Sequence, residues 1–325
     1  MGRYGIGFNS QGKWTAYPGV VVTVDPSELD LANQGPTGVV ALLGTATGFF
    51  PPKQYSRFPF DAATPSQYIA AGSDLLITVS LATKPFAQLG HGVAEVYVVP
   101  INEALPATLT MQDDAAADVV KLTTLGWGAM FNQMKATVTG TTGQALVLTL
   151  PAETETIDER YEVGTGPDSM QKLVDDINSR SAMVSAELIA PGSGTLGILS
   201  DATFGNGSDG TPVTLNDWLE GIACLSTLRV NAIHVATGDD AVWDALAAYC
   251  ETHRARGFVG SDTTRNWNGI SNRSAAITAL KAEAGGINSP RIMHCGLGMN
   301  GYPGKFASAR YAALAASLEP SVPMT

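Results

Sequence analysis

Charge is scarce in this sequence. Of its 325 residues only 15% are Asp, Glu, Lys or Arg, against about 25% in an ordinary soluble domain. Positive charge is the scarcer sign: 19 basic residues stand against 30 acidic ones, a formal net charge of −11. Nucleic-acid binding needs a basic face to neutralise phosphates, so no direct nucleic-acid partner is expected. Cysteine is scarce too. Cys224, Cys250 and Cys295 form neither a disulfide framework nor a zinc spacing, and they read as inert thiols in a reducing compartment. Long apolar runs are missing. Val39–Leu43 and Ala245–Ala248 fall far short of the ~18 residues of a membrane span, so no membrane insertion is expected. The opening MGRYGIGFNSQGKW lacks the apolar stretch of a secretory leader.

Apolar residues and turn formers are plentiful. Hydrophobic residues make up 45%, too many for wholesale disorder, and Gly (35) and Pro (18) punctuate the chain throughout. The length suits two or three domains. A soluble chain with so few ions needs another way to cover itself, and burial against further subunits is one.

Residues 1–35 read as an extended arm. Within them Val20, Val21, Val22, Thr23 and Val24 form a β-branched run between Tyr17-Pro18-Gly19 and Asp25-Pro26. Such a strand needs a sheet edge to join, its own or a neighbour's, so these five residues are the inter-subunit strand candidate. Gly38–Gly44 and Ala94–Ile101 read as buried strands; Pro65–Ile69 and Asp74–Leu89 read as helical or mixed. From 104 to 191 short Thr/Val-rich strands appear at Thr108–Met111, Lys135–Thr139, Leu146–Leu150 and Met183–Ile189. One helix, Asp168–Arg180, carries the stripe Met170, Leu173, Val174, Ile177. After Thr214, which with Asp217 forms a near capping box, strands and helices alternate. They run Arg229–Val235, Asp240–Arg256 (ended by Gly257), Phe258–Gly260, Ser274–Ala284, Arg291–Cys295 and Lys305–Leu318. The expected fold class is mixed α/β and β, multidomain. A discontinuous α/β core (36–103 plus 192–325) holds a parallel-type βαβαβα sheet, 104–191 is an inserted β-rich outer module, and 1–35 is the arm.

Few residues suggest chemistry. Gly296-Leu-Gly298-Met-Asn-Gly301 is a literal GxGxxG after a strand, the form of a dinucleotide loop. Tyr302-Pro303-Gly304 then interrupts the helix start a pyrophosphate would need, and no acidic residue follows at ribose-binding distance. An ordinary Gly-rich turn is the stronger reading. Phe204–Pro212 (FGNGSDGTP) lacks the carboxylate series of a calcium loop and reads as a structural turn. His294 and Cys295 are strand neighbours pointing to opposite faces, so they cannot act as base and nucleophile. His234 reads as a core histidine. Asp239 and Asp240 read as helix capping, and Asp113-Asp114 and Asp175-Asp176 as solvated faces. No catalytic set, metal cluster or cofactor site emerges, and the expectation is a protein that is not an enzyme.

The order of segments resembles the sheath proteins of contractile phage tails and related injection machines. Tyr17–Val22 is similar to that family's N-terminal "PGVYV" segment and Gly38–Thr47 to its first core strand. Gly92–Ile101 resembles its "G…VYVVRV" strand. Leu125–Gly128 with Asn132, Thr137 and Val138 resembles the turn opening an outer β region. Ser181–Leu188 is similar to "S..V.AEL", and Phe204–Trp218 to the junction into the second α/β half. The resemblance runs over roughly residues 17–318. It implies stacked hexameric rings around a tail tube, assembled in the host cytoplasm into the virion, and a contraction that drives the tube through the host envelope. The implied partners are further copies of the chain, the tube protein, and baseplate and terminator proteins. The family's C-terminal inner-domain motifs do not appear before Thr325. A sheath-like initiator or terminator ring protein is the alternative within this class. An α/β enzyme binding a nucleotide at Gly296–Gly304 is the alternative outside it.

Overall fold

The computed structural model describes residues 8–10, 13–15, 38–59, 65–84, 93, 95–141, 143–151, 156–262, 273–296, 298 and 301–318. The chain divides into two compact units, 1–37 and 38–325. In the first, Phe8–Ser10 (β1) pairs antiparallel with Lys13–Thr15 (β2). The strand candidate Val20–Val24 lies outside the described residues.

The second unit opens with Val39–Gly44 (β3), Ser56–Arg57 (β4), Asp74–Ala82 (α1) and Glu95–Pro100 (β5). A β-rich stretch follows: Pro106–Gln112 (β6), Asp118–Trp127 (β7), Lys135–Thr139 (β8), Gln144–Pro151 (β9), Thr156–Val163 (β10), Ser169–Arg180 (α2), Val184–Leu188 (β11) and Leu199–Thr203 (β12). The chain then alternates through Leu215–Ala223 (α3), Ala232–Val235 (β13), Asp240–His253 (α4), Arg256–Gly260 (β14), Arg273–Gly285 (α5), Ile292–Cys295 (β15) and Gly304–Ser317 (α6).

Six strands form one sheet in the order β15-β14-β13-β3-β5-β4, parallel except for β4 at the edge. The apolar run of β3 places it centrally, because a parallel strand covered on both faces needs apolar residues at every position. Val40 and Leu42 point into a core shared with α1 and α6; Ala41 and Leu43 point into the core beneath α3 and α4. The face of α6 is built from Ala309, Ala312, Ala313 and Ala316, whose small side chains let α1 and the sheet approach closely. This is the mixed α/β class expected from the alternating pattern.

The stretch from β6 to β12 makes two antiparallel sheets, β10-β9-β8-β12 and β11-β7-β6, around a separate core. Leu146, Leu148 and Leu150 alternate inward from β9, and Met170, Leu173, Val174 and Ile177 of α2 close the core as a stripe. Each such side chain contributes about 1.5–3 kcal/mol on burial, so packing of this face holds α2 in place. By pairing with β8 and by the burial of Phe204, β12 belongs to this core although it lies past residue 191.

One helix end differs from its expected position. α4 stops at His253, with Arg254 in the left-handed region (φ 56°) as its C-cap. Gly257, expected to end the helix, sits inside β14. A Cβ there would lie 2.3 Å from Ile292 Cδ1 and 2.9 Å from Leu246 Cδ2. The glycine serves close packing of strand, helix and neighbouring strand rather than a turn.

Candidate functional site

The segments that stand apart in the sequence meet at the junction between the α/β sheet and the β-rich region. Gly48, after β3, exchanges two backbone hydrogen bonds with Trp127 at the end of β7, at 2.9 and 2.7 Å. Asn132 grips Gly207 with both ends of its amide: Nδ2 donates to the Gly207 carbonyl at 2.9 Å, and Oδ1 accepts from the Gly207 N–H at 2.8 Å. Asp209 accepts from the Ala129 N–H at 2.7 Å. Asn102, after β5, donates to the Asp209 carbonyl and accepts from the Ala46 N–H, each at 2.8 Å. Leu105 and Ser208 pair through their backbones. FGNGSDGTP is therefore the strap that ties the two cores together.

Glycine is required at two points of this junction, one in the strap and one opposite it. A Cβ on Gly207 would meet the Gly128 carbonyl oxygen at 2.8 Å and Asn132 Oδ1 at 2.7 Å. Gly48 has φ 138°, and a Cβ there would meet the Tyr68 carbonyl at 2.2 Å. Beside the strap, Thr45–Thr47, Ala71–Ser73, Asn102 and Asp209–Val213 line an open cleft of about 430 Å³. Several of its polar side chains are engaged with the protein: Thr45 Oγ1 donates to Asp74, and Ser73 Oγ accepts from the Thr47 N–H.

An ion cluster absent from the sequence-level candidates lies next to the strap. Lys53 Nζ sits 2.6 Å from Glu103, 2.8 Å from Asp217 and 2.6 Å from Glu220. Carboxylate oxygens of these three acids lie within 4.8 Å of one another, the spacing of a cation site. The ammonium takes the place such a cation would occupy. Hydrogen bonds from Lys53 and from the Thr214 N–H hold the Asp217 carboxyl down at about 2, and the same carboxylates push the Lys53 ammonium up. The Thr214–Asp217 contact is the expected capping interaction. Asp217 and Glu220 lie i, i+3 on α3, and Lys53 and Glu103 reach them only through the fold.

The remaining candidates fall into place around the sheet. At the Gly-rich loop the start of α6 packs against the chain itself. A Cβ on Gly304 would lie 2.0 Å from the Cys295 carbonyl, the Lys305 N–H donates to Ser261 at 3.0 Å, and Lys305 Nζ pairs with Asp262 at 2.8 Å. Leu297, Met299 and Asn300 lie outside the described residues. His234 is fully buried with Nδ1 3.0 Å from Ser308 Oγ, a core histidine. His294 packs against Trp243 with ring centroids 5.2 Å apart. Asp239 caps α4 by accepting from the Ala241 N–H at 2.9 Å. Burial pushes the thiols of Cys224 and Cys250 up to about 11 and about 12, and none of the three cysteines forms a disulfide. Asp175 and Asp176 engage exposed Gln171 and Arg180 along the helix. Asp113, expected on a solvated face, is instead buried. It accepts from the backbone N–H groups of Ala115, Ala117 and Ser193, which lowers its pKa and ties the 193–197 segment to the β6–β7 turn.

No family model matches the chain, and no curated protein matches it. Solved structures do. A sheath tail protein from Desulfitobacterium hafniense superposes with a TM-score of 0.57 at 15% identity, covering 93% of this chain and 62% of that one. A sheath tail protein from Listeria innocua gives a TM-score of 0.55 at 17% identity, covering 88% and 57%. The chain therefore has the fold of a sheath tail protein, over about three fifths of the length of these two. Among the described residues no helix is long and apolar enough to cross a membrane.

Proposed function

We propose that this chain is a structural subunit of a contractile tail sheath. It self-associates into stacked hexameric rings around a tail tube, and contraction drives the tube through the host envelope. It works as part of the virion after assembly in the host cytoplasm, with tube, baseplate and terminator proteins as partners. It catalyses no reaction and takes no cofactor. The observation that carries this reading is the sheath-tail fold, which accounts for almost all of the chain. The convergence of several of the resembling segments on one strap supports it, because glycines and amides there serve close backbone approach rather than chemistry. Energy for contraction would reside in two packings of the same subunits, without nucleotide.

Negative-stain microscopy of the purified protein tests the reading. Tubes are expected. Isolated single rings would redirect it to a sheath-like initiator or terminator, and a monomer at every concentration would overturn it. A thermal shift on adding nucleotide, abolished by Gly298→Ala, would favour the enzyme alternative instead. Val20–Val24 is proposed to add a strand to a neighbouring subunit's sheet. Val22→Pro removes a ladder donor and should block polymerisation while leaving the folded content by circular dichroism unchanged. Normal tubes from that variant would rule the strand role out.

A further inference from the structure

The α/β core is electrically polar along its strands. At the amino edge of the parallel sheet, Arg256 begins β14 and Arg291 immediately precedes β15. The two are neighbours in register, since the Gly257 N–H donates to the Arg291 carbonyl at 2.9 Å. Arg254 caps the end of α4 at the same edge, and Arg229 lies just ahead of β13. Arg254 and Arg256 are exposed and Arg291 half-buried. Five other cations are matched internally: Lys53 by three carboxylates, Arg57 by Glu95, Arg160 by Glu162, Arg180 by Asp176 and Lys305 by Asp262. Arg254, Arg256 and Arg291 have no carboxylate at ion-pair distance among the described residues. Glu251, on the last turn of α4, accepts from Ser289 Oγ at 2.9 Å.

The carboxyl edge carries the opposite sign. Asp239, Asp240 and Asp244 are exposed on the first turns of α4, beside Asp262, which follows β14 and is itself paired with Lys305. A Cβ on Gly238 would lie 2.4 Å from an Asp262 carboxylate oxygen, so these acids share one edge. Asp240 and Asp244 lie four apart on the helix and have no ion-pair partner among the described residues. The 14 residues of α4 separate the two edges by about 21 Å. That exceeds the Debye length of about 8 Å at physiological salt, so the poles of one molecule cannot neutralise each other. Helix dipoles favour this placement of signs, yet they do not account for three exposed or half-exposed arginines crowded without counter-ions in a chain with so few cations.

We propose that the arginine edge of one α/β core docks on the aspartate edge of a second copy, so that the chains associate head to tail. The two edges are complementary in sign and lie at opposite ends of the same elements. A contact between unlike surfaces extends to a ring or a helical filament rather than closing as a dimer. The proposal rests on the self-associating role proposed above and names its contact surface.

Charge reversal of each edge tests it. The wild-type chain, Arg254→Glu/Arg256→Glu and Asp240→Lys/Asp244→Lys are compared by sedimentation velocity and negative stain, with circular dichroism to check folding. Wild type should assemble, and raising salt from about 50 to about 500 mM should increase the concentration needed at least tenfold. Each variant alone should stay unassembled where wild type assembles. An equimolar mixture of the two should regain assembly, since each reversed edge then finds its complement, and regain of that kind also establishes that both variants are folded. If either folded variant assembles like wild type, or the folded pair fails when mixed, the docking is overturned while the sheath reading stands. A wild-type chain that never self-associates overturns both.

Discussion

At the scale of single residues, His234 shows how burial becomes pH dependence. It lies mid-strand in β13 with no exposed surface, and burial holds its pKa down at about 3. The Ser308 hydroxyl donates to the Lys305 carbonyl at 2.9 Å, which leaves its oxygen free to accept from Nδ1, and burial keeps the imidazole neutral. In the unfolded chain the same group titrates near 6.5. Between those values the unfolded state binds more protons, so this contribution to stability is complete above about pH 6.5 and is lost as pH falls toward 3. His234→Gln should therefore flatten the dependence of Tm on pH between about 4 and 7. Parallel curves for wild type and variant would remove His234 as the source. The Asp217 carboxyl adds a loss in the same direction in a lower window, between its ordinary value of 3.8 and about 2. Buffers above about pH 4.5 thus keep Asp217 out of the comparison.

At the scale of elements, what the sequence disclosed depended on whether an element's partners were local. α2 was legible because its stripe Met170, Leu173, Val174, Ile177 repeats within one helix. β3 was legible because burial on both faces demands an unbroken apolar run. β10 was not legible. Its sequence TIDERYEV is mostly polar, and it exists as the edge of a sheet through backbone pairing with β9. β7 escaped because its Thr and Lys residues break the alternation, although strands on both sides hold it in register. The same logic explains Gly257. Read locally, a glycine after a helix is a C-cap; only the approach of Leu246 and Ile292 shows that it sits in a strand. Gly257→Ala should destabilise the chain by about 1–3 kcal/mol through overpacking, measured as a lower urea midpoint at unchanged m-value. A neutral result would mean that Leu246 and Ile292 repack freely.

At the scale of the whole second unit, the apolar core of the β-rich region meets the sheet and its two cores at one polar seam. One core fills the β-rich region; two more sandwich the parallel sheet. The links described between the β-rich core and the sheet at the strap are mainly hydrogen bonds: the Gly48–Trp127 pair, the Asn132 amide on Gly207, and Asp209 between Ala129 and Asn102. Each link contributes only about 0.5–1.5 kcal/mol net, so cooperativity between the cores depends on the strap keeping its geometry. The glycines in FGNGSDGTP were visible in the sequence, but the amide they accommodate is 75 residues away, and spacing alone could not pair them. Gly207→Ala forces a Cβ to within 2.8 Å of a backbone carbonyl, which the strap can relieve only by moving away from β7 and Asn132. Both cores keep their own packing in that variant. Wild type is therefore expected to unfold this unit in a single calorimetric transition, and Gly207→Ala to separate it into two, with the calorimetric enthalpy exceeding the van't Hoff value. The same variant should still form the secondary structure of both regions, and a docked subunit that relies on the seam to transmit load should assemble less readily from it. A single, merely lowered transition would show instead that the cores are coupled by more than the strap.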